Sequence, residues 1–592
     1  MKYPTLNELG TSRELVDVFK GYNHNLRIGD GEFYDMTNLS SDNYPILSPR
    51  PKRGIYDDPT PTKPQGMVAK DSLCYVDGTT FYINGSAITG LTVEDTPKTL
   101  ISMGAYVIIM PDKKYINTVD FSYGNIEASV EIKTQVTFEL CKMDGAKYEN
   151  TQKQATAPEI TEEMEADPTL IPLWLDTSET PHSLKIYSTS SKMWSAIATT
   201  YIKISTPNNN KTFEPFSEGD GVRISGVQDE ALQDLNASMY IWAKGDDYIV
   251  VKGIIDQVTT QDGAVKAVKV ERKMPVMDYI IEAGNRLWGC RYGLNADKNV
   301  VNEIYASKLG DFKNWECYPG ISTDSAYIPV GTDGQFTGAI TYLGYPLFFK
   351  ETCVHKVYGN YPANYQVQTT ACRGVQKGCS KSLAIVNEVL YYKARSGICA
   401  YDGSLPVEMS SALGEVSYSN AVAGTLGNKY YISMSDTNGD YHLFVYDTLK
   451  GMWHREDNTQ AVEFCNCRGD LYYIDYTDNQ IKSVRGTGTP DDKPIRWQAI
   501  TGVIGTDSPD KKYISRMDVR MKLDVGTRVM FFVEYDSCGE WEHLFTMTGT
   551  TLKTFAVPIK PQRCDHMRLK MVGEGDAKIY SICKTIEQGS DV

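Results

Sequence analysis

The side chains able to do chemistry are spread thinly along this chain. Seven histidines stand at positions 24, 182, 355, 442, 454, 543 and 566, and no two have the spacing of a metal-binding pair. Thirteen cysteines are scattered singly except for Cys465-x-Cys467; residues two apart on a strand share a face, so this pair reads as two core side chains. Nucleophile-elbow, phosphate-cradling glycine-loop and zincin patterns are absent. Carboxylates are plentiful, 75 in all, and two of them brought together from different strands are what glycoside hydrolysis requires. Yet Asp402, Asp447 and Asp475 recur at one place in a repeated unit, as do the aromatic pairs Tyr391–Tyr392, Tyr430–Tyr431 and Tyr472–Tyr473. Recurrence marks a turn and the packing between sheets, whereas an active site is unique. On these residues no catalytic group, cofactor or metal is expected, and the chain is not expected to be an enzyme.

The unit that positions these residues is a β-hairpin: an aromatic-rich strand, a turn, and a second strand closing on an aromatic with Asp or Gly. It appears as Asp71–Asn84, Gly104–Asp120, Asn285–Trp315, Gly344–Gly359, Asn387–Gly403, Asn428–Trp453 and Gly469–Gly486. Taking Tyr345, Glu388, Lys429 and Asp470 as equivalent points, the spacings are 43, 41 and 41 residues, the size of a four-stranded propeller blade. The Asn428–Trp453 unit is the most complete, with the strand YYISMS, a turn containing the Asn-Gly pair that hairpins favour, and the strand YHLFVYD. With 39 Tyr and 48 Gly in 592 residues, composition also leans toward strands and turns.

The fold class expected is all-β: a six- or seven-bladed β-propeller with an inserted β-barrel or sandwich and a C-terminal β-sandwich. Residues 1–65 read as an extended arm, because Pro45, Pro49 and Pro51 deny regular helix. Residues 66–118 hold the first blades. The period then breaks over 119–276, which read as an inserted β-rich domain, and it resumes over 277–488. Residues 489–592 alternate with period two in Met517–Leu523, Val529–Tyr535, Leu552–Ile559, Met567–Val572 and Ala577–Ile582, as a separate sandwich would.

Charge narrows the partners. The formal net charge is −15, which excludes a reader of DNA sequence, since phosphate neutralisation needs clustered Lys and Arg. It does not exclude a conduit for DNA, where a repulsive wall prevents sticking. Arg50, Lys52 and Arg53 form a basic end to the arm and are candidate contacts to a partner. Glu159, Glu162, Glu163, Glu165 and Asp167 lie in a long acidic, Pro-rich loop, with one helical turn expected at 160–166, and are candidates for a channel or surface element. The N-terminal MKYPTLNELGTSREL has no apolar signal core, and the cysteines have no framework spacing, so folding in a reducing cytoplasm is expected. No apolar run is long enough to span a bilayer.

Ser307–Trp315 (SKLGDFKNW) resembles the Asp-box turn of sialidase-type propellers, a fold-stabilising hairpin, but has Leu309 two places after the serine where that turn carries Asp. The chain as a whole resembles the propeller-containing tail hub and nozzle proteins of tailed bacteriophages. The stretches that carry the likeness are Gly21–Arg53, Ile304–Trp315, Gln335–Gly359 and Gly378–Gly403, and it covers most of the chain outside 119–275. The resemblance implies a virion structural protein: a ring, usually of six copies, below the portal or adaptor, around a channel through which double-stranded DNA is ejected. It implies self-association, contact with other tail proteins, and assembly in the bacterial cytoplasm. The alternative reading is a receptor-binding or glycan-degrading propeller protein at the tail tip.

Overall fold

The computed structural model describes residues 10–57, 59–207, 211–295, 298–491, 494–506, 511–559 and 562–588. Seven sheets follow one another along the chain as successive blades. Blade 1 is Pro64–Lys70, Ser72–Asp77, Thr80–Ile83 and Ser86–Thr92; blade 2 runs from Thr99–Met103 to Tyr123–Asn125. Blades 3 to 6 span 279–329, 336–371, 384–408 and 419–455, and each is a four-stranded antiparallel meander. Blade 7 has Ala461–Cys467, Asp470–Asp475 and Gln480–Ser483 in sequence, and Thr489–Pro490 as a fifth, edge strand. Its fourth strand is Gly54–Ile55 from the arm, with Ile55 opposite Lys482 and Gly54 opposite Ser483. The first strands of neighbouring blades touch, blade 7 closing onto blade 1, except between blades 4 and 5, where the turn Ser380–Ser382 bridges the first strands of blades 4 and 6. The sequence left six or seven blades open; the structure has seven.

Burial explains the sequence pattern. A middle strand is covered on both faces by the adjacent blades, so Lys429–Ser435 and Tyr441–Asp447 are buried almost continuously. An outer strand lies on the rim, and Gln366–Ala371 alternates between exposed and half-buried. The recurrent tyrosines pack between blades, as Tyr391 does against Tyr430 at 5.3 Å between ring centroids. Each large apolar side chain fully buried in this way contributes about 1.5–3 kcal/mol.

The arm is strand-rich and built into the body. Gly21–Tyr22 pairs with the outer strand of blade 6 through Tyr22 and Trp453, and in parallel with Glu32–Thr37. Glu32–Thr37 in turn pairs with Arg496–Thr501 of the C-terminal region. Blade 6, the arm and the sandwich strands therefore form one ten-stranded sheet. The facing sheet places Thr11–Val16, Ala577–Gln588, Lys512–Leu523 and Lys553–Val557 side by side. The sandwich expected at the C-terminus is present, completed by arm strands, and it shares one apolar core with blades 4 to 6. Gly21 is where the arm meets the blade, and a Cβ there would run into the Trp453 carbonyl oxygen.

The insertion leaves the connection between blades 2 and 3. Blade 2 continues to Asn125, so the inserted strands begin at Ala128 rather than 119 and end at Arg272. A four-stranded and a five-stranded sheet enclose one core containing Phe138, Ile204, Phe213 and Val270. A second, smaller sheet over 151–196 carries the acidic segment.

Candidate functional site

Two charged regions were singled out by sequence, and they differ in kind. Arg50 and Arg53 are 6% and 4% exposed. Arg53 Nη2 meets Glu456 Oε2 at 2.7 Å and Arg53 Nη1 meets Asp457 Oδ2 at 2.7 Å; Nη1 also donates to Thr459 Oγ1 at 2.8 Å and to the Tyr473 hydroxyl at 3.2 Å. Arg50 donates through Nε to Asn38 Oδ1 at 2.8 Å, and its Nη2 lies 3.6 Å from Asp457 Oδ2. Burial opposes the charge on Arg53, but Asp457, Tyr473 and Glu456 outweigh it and raise its pKa. Burial likewise works against ionised Asp457, and Arg53 with Arg50 holds it below the usual carboxylate value. Burial pushes the Tyr473 hydroxyl up to about 12. These arginines are a seam between the arm and blades 6 and 7, not a surface offered to another protein: the expectation that they contact a partner is corrected for Arg50 and Arg53. Lys52 alone of the three is exposed.

The acidic segment stays in solvent. Glu162–Ala166 is the expected helical turn, capped by Thr161, whose side chain accepts from the Met164 N–H. Glu159, Glu162 and Glu163 are exposed. Glu165 accepts from the Tyr187 hydroxyl and lies 3.3 Å from Lys192 Nζ, and Asp167 caps the turn at Thr169. The sheet beneath rests on Trp174, 8% exposed, and on Asp176, whose bonds to Lys185 and Ser178 lower its pKa to about 2. Lys153 ties this sheet to the insertion barrel at Asp256, 2.5 Å away. Among the described residues, no hydrogen bond or ion pair joins 150–196 to the propeller.

The propeller axis is lined by the seven first strands. Two carboxylates lie on them, Glu282 and Glu463. Glu282 accepts from the Asn285 N–H in the hairpin turn. Glu463 accepts from the Met67 N–H of blade 1 at 3.2 Å and lies 3.8 Å from Lys381 Nζ, so it helps close the ring. Burial raises its pKa, with Lys381 opposing. The recurrent aspartates cap turns: Asp402 accepts from the Ser404 N–H, Asp447 from Leu449 and Lys450, Asp475 from Thr477. Cys465 and Cys467 pack with Met67, Leu73 and Tyr75 in the seam between blades 7 and 1.

The segment Ser307–Trp315 has a further role that the sequence did not disclose. Ser307 Oγ accepts from the Leu287 N–H at 2.9 Å, and Asp311 accepts from Lys313 N and Asn314 Nδ2. Asn314 then reaches the insertion, accepting from the Gly221 N–H and donating to Asp220, each at 2.9 Å. Asp220 is also ion-paired to Arg272. This buried polar knot pins the insertion to blade 3.

No protein-family model and no curated protein matches the chain. Solved structures similar to it include exo-β-1,3-galactanase from Phanerochaete chrysosporium, 10% identical, TM-score 0.20, covering 52% of this chain and 94% of that one. An engineered GH43 glycoside hydrolase with endo-xylanase and exo-arabinofuranosidase activity is also 10% identical, TM-score 0.20, covering 52% and 96%. Trypanosoma rangeli sialidase is 8% identical, TM-score 0.19, covering 97% and 95%. These neighbours are glycoside hydrolases, and the expectation that the chain is not an enzyme is therefore withdrawn. At such TM-scores the likeness assigns no activity, substrate or site in its place.

Proposed function

We propose that this chain is a structural subunit of a bacteriophage tail: a ring-forming hub, nozzle or connector, of about six copies, around the path of the ejected double-stranded DNA. The observation that carries this reading is the course of residues 21–55. The stretch bearing the resemblance to tail proteins is the one that fastens blade 6, blade 7 and the sandwich into a single wedge, through strand pairing and a buried ionic seam. Parts joined by strand pairing and buried ion pairs would hold a fixed angle to their neighbours, which closure of a ring demands.

The path for DNA would be the space enclosed by the ring. The propeller's own axis is ringed by first strands and, between blades 4 and 6, by the turn Ser380–Ser382, and the Lys381–Glu463 pair reaches past blade 6 beside it. A protein of net charge −15 around that path would let the duplex slide, because adhesion needs cations on the wall. The exposed acids Glu159, Glu162 and Glu163 would then serve as a channel lining or an outward surface. Portal or adaptor and other tail proteins would be the partners, and the virion tail the location.

The reading is tested on purified particles from bacteria that carry this chain. An antibody to the 159–167 segment should decorate tails in negative stain, and mass spectrometry should find the chain in the particle fraction. Recovery of the chain only from host material, with bare tails, would reject the reading.

A further inference from the structure

A cleft of about 180 Å³ opens between blades 5 and 6, on the face that carries the turns between second and third strands. Its walls include Lys393 from the end of a second strand and Arg395 from the turn that follows. The connection into blade 6 adds Ser410, Glu415, Ser417 and Tyr418. Blade 4 supplies an internal comparison, because Lys350 also ends a second strand, and both lysines are buried, 1% and 3% exposed. Burial holds both ammonium groups below the usual lysine value.

The two charges are compensated differently. Lys350 Nζ donates to Asn302 Oδ1 at 3.0 Å and to the Thr332 carbonyl at 2.7 Å, and it lies over the rings of Tyr292 and Phe336 at 5.0 and 4.6 Å. Those rings face the cation with their negative quadrupole. Lys393 Nζ donates to Gln376 Oε1 at 2.9 Å and to the Ala394 carbonyl at 2.6 Å. Among the described residues no ring covers it and no carboxylate pairs with it. The Glu408 carboxylate also lines the cleft, but it is engaged by Arg373 at 2.9 Å and accepts from Ser410 Oγ at 3.4 Å. Buried charges are ordinarily paired, since the uncompensated group carries a desolvation cost. Arg395 on the rim is exposed and has no partner either. Among the described residues, the cleft therefore holds two cations without an ion pair beside serine hydroxyls, the glutamates Glu408 and Glu415, and one tyrosine wall.

We propose that this cleft binds a small carboxylate bearing several hydroxyl groups, one acidic sugar residue in size, with its carboxylate on Lys393 and Arg395 and its hydroxyls toward Ser410, Ser417 and Glu415. The volume is below that of pockets for drug-sized ligands, which points to a single residue. The site does not depend on the ring proposed above.

Calorimetric titration of the full chain tests it with D-glucuronate, acetate, D-glucose and inorganic phosphate as separate probes. Glucuronate is expected to bind more tightly than acetate and phosphate, with glucose showing no heat. Arg395→Ala, a change at an exposed position, should weaken glucuronate by about tenfold or more, the effect of losing a charge-assisted hydrogen bond. Lys393→Met, which keeps the stem and removes the charge, should abolish binding with an unchanged circular dichroism spectrum; if this variant does not fold, Arg395→Ala decides. Absence of glucuronate binding, equal affinity for glucose, tighter binding of phosphate, or an Arg395→Ala protein that binds like the parent would overturn the proposal.

Discussion

The seam at Arg50 and Arg53 and the acidic sheet at 151–196 both drew attention as runs of one charge, and the fold treats them oppositely. In the seam each charge is withdrawn from water and matched: Arg53 has Glu456, Asp457, Thr459 and Tyr473 around one guanidinium. In the acidic segment Glu159, Glu162 and Glu163 stay in solvent, while Glu165, Asp167 and Asp176 take up local partners. The difference teaches that a charge run becomes structural when the chain supplies complementary charges from another element. Here those charges lie some four hundred residues away, in the connection between blades 6 and 7.

The sharpest way to break this comparison is Arg53→Ala. It leaves buried Glu456 and half-buried Asp457 with only the more distant Arg50, at 3.8 and 3.6 Å, and a loss of about 3–5 kcal/mol is expected in urea unfolding. An effect below about 1 kcal/mol would mean that the seam is solvated like the acidic sheet. Gly54→Ala attacks the same seam through sterics, because a Cβ there meets the backbone of Gly486 and Thr487; about 1–3 kcal/mol is expected, with faster proteolysis between blade 7 and the arm.

A pH series sharpens the contrast. His454, beside the seam, and His355 in blade 4 are held down to about 3 and about 4 from 6.5, by burial first and then by the nearby Lys429 and Lys350. The unfolded chain takes up protons first as pH falls below 6.5, so their contribution to stability is complete above 6.5 and is lost progressively toward pH 4 and 3. Asp457 adds to this at lower pH: with a depressed native value, its contribution is present above 3.8 and is lost as pH falls through that native value. Urea midpoints should therefore decline from pH 7.5 to 5, and His454→Leu should make the decline shallower. A flat profile in the parent protein would contradict the burial of both histidines. At the other extreme, Glu162→Gln with Glu163→Gln should change stability by no more than about 0.5 kcal/mol, since both are exposed on a helical turn. A larger loss by the same measurement would show hidden partners for the acidic sheet.

Much of the fold was legible because blade hairpins are local. Strands such as Tyr430–Ser435 and Tyr441–Asp447 announce themselves through near-continuous burial and an Asn-Gly turn. The seventh blade was not countable, because its fourth strand is two residues of the arm, Gly54–Ile55, far from the rest of the blade in sequence. The same non-locality hid the sandwich strand Arg496–Thr501, which pairs with arm residues Phe33–Thr37. Arg50 and Arg53 were misread for one physical reason: among prolines and a lysine they look like a solvated turn, and only the fold brings Glu456 and Asp457 to them. The helical turn at Glu162–Ala166 was legible because its Thr161 cap and its acidic first turn are local in sequence. The Lys393 cleft left no trace in the sequence, since its significance lies in what does not surround the ammonium.

The central claim is that this chain is a wedge in a ring on the tail axis. Electron cryomicroscopy of particles containing it, with copy number and symmetry determined without imposing either, tests that claim most directly. The account predicts a closed ring, of about six copies, with density for DNA through its centre and the seam at Arg53 buried within each subunit. Isolated monomers, or trimers at the tip of a fibre with no axial passage, would contradict it.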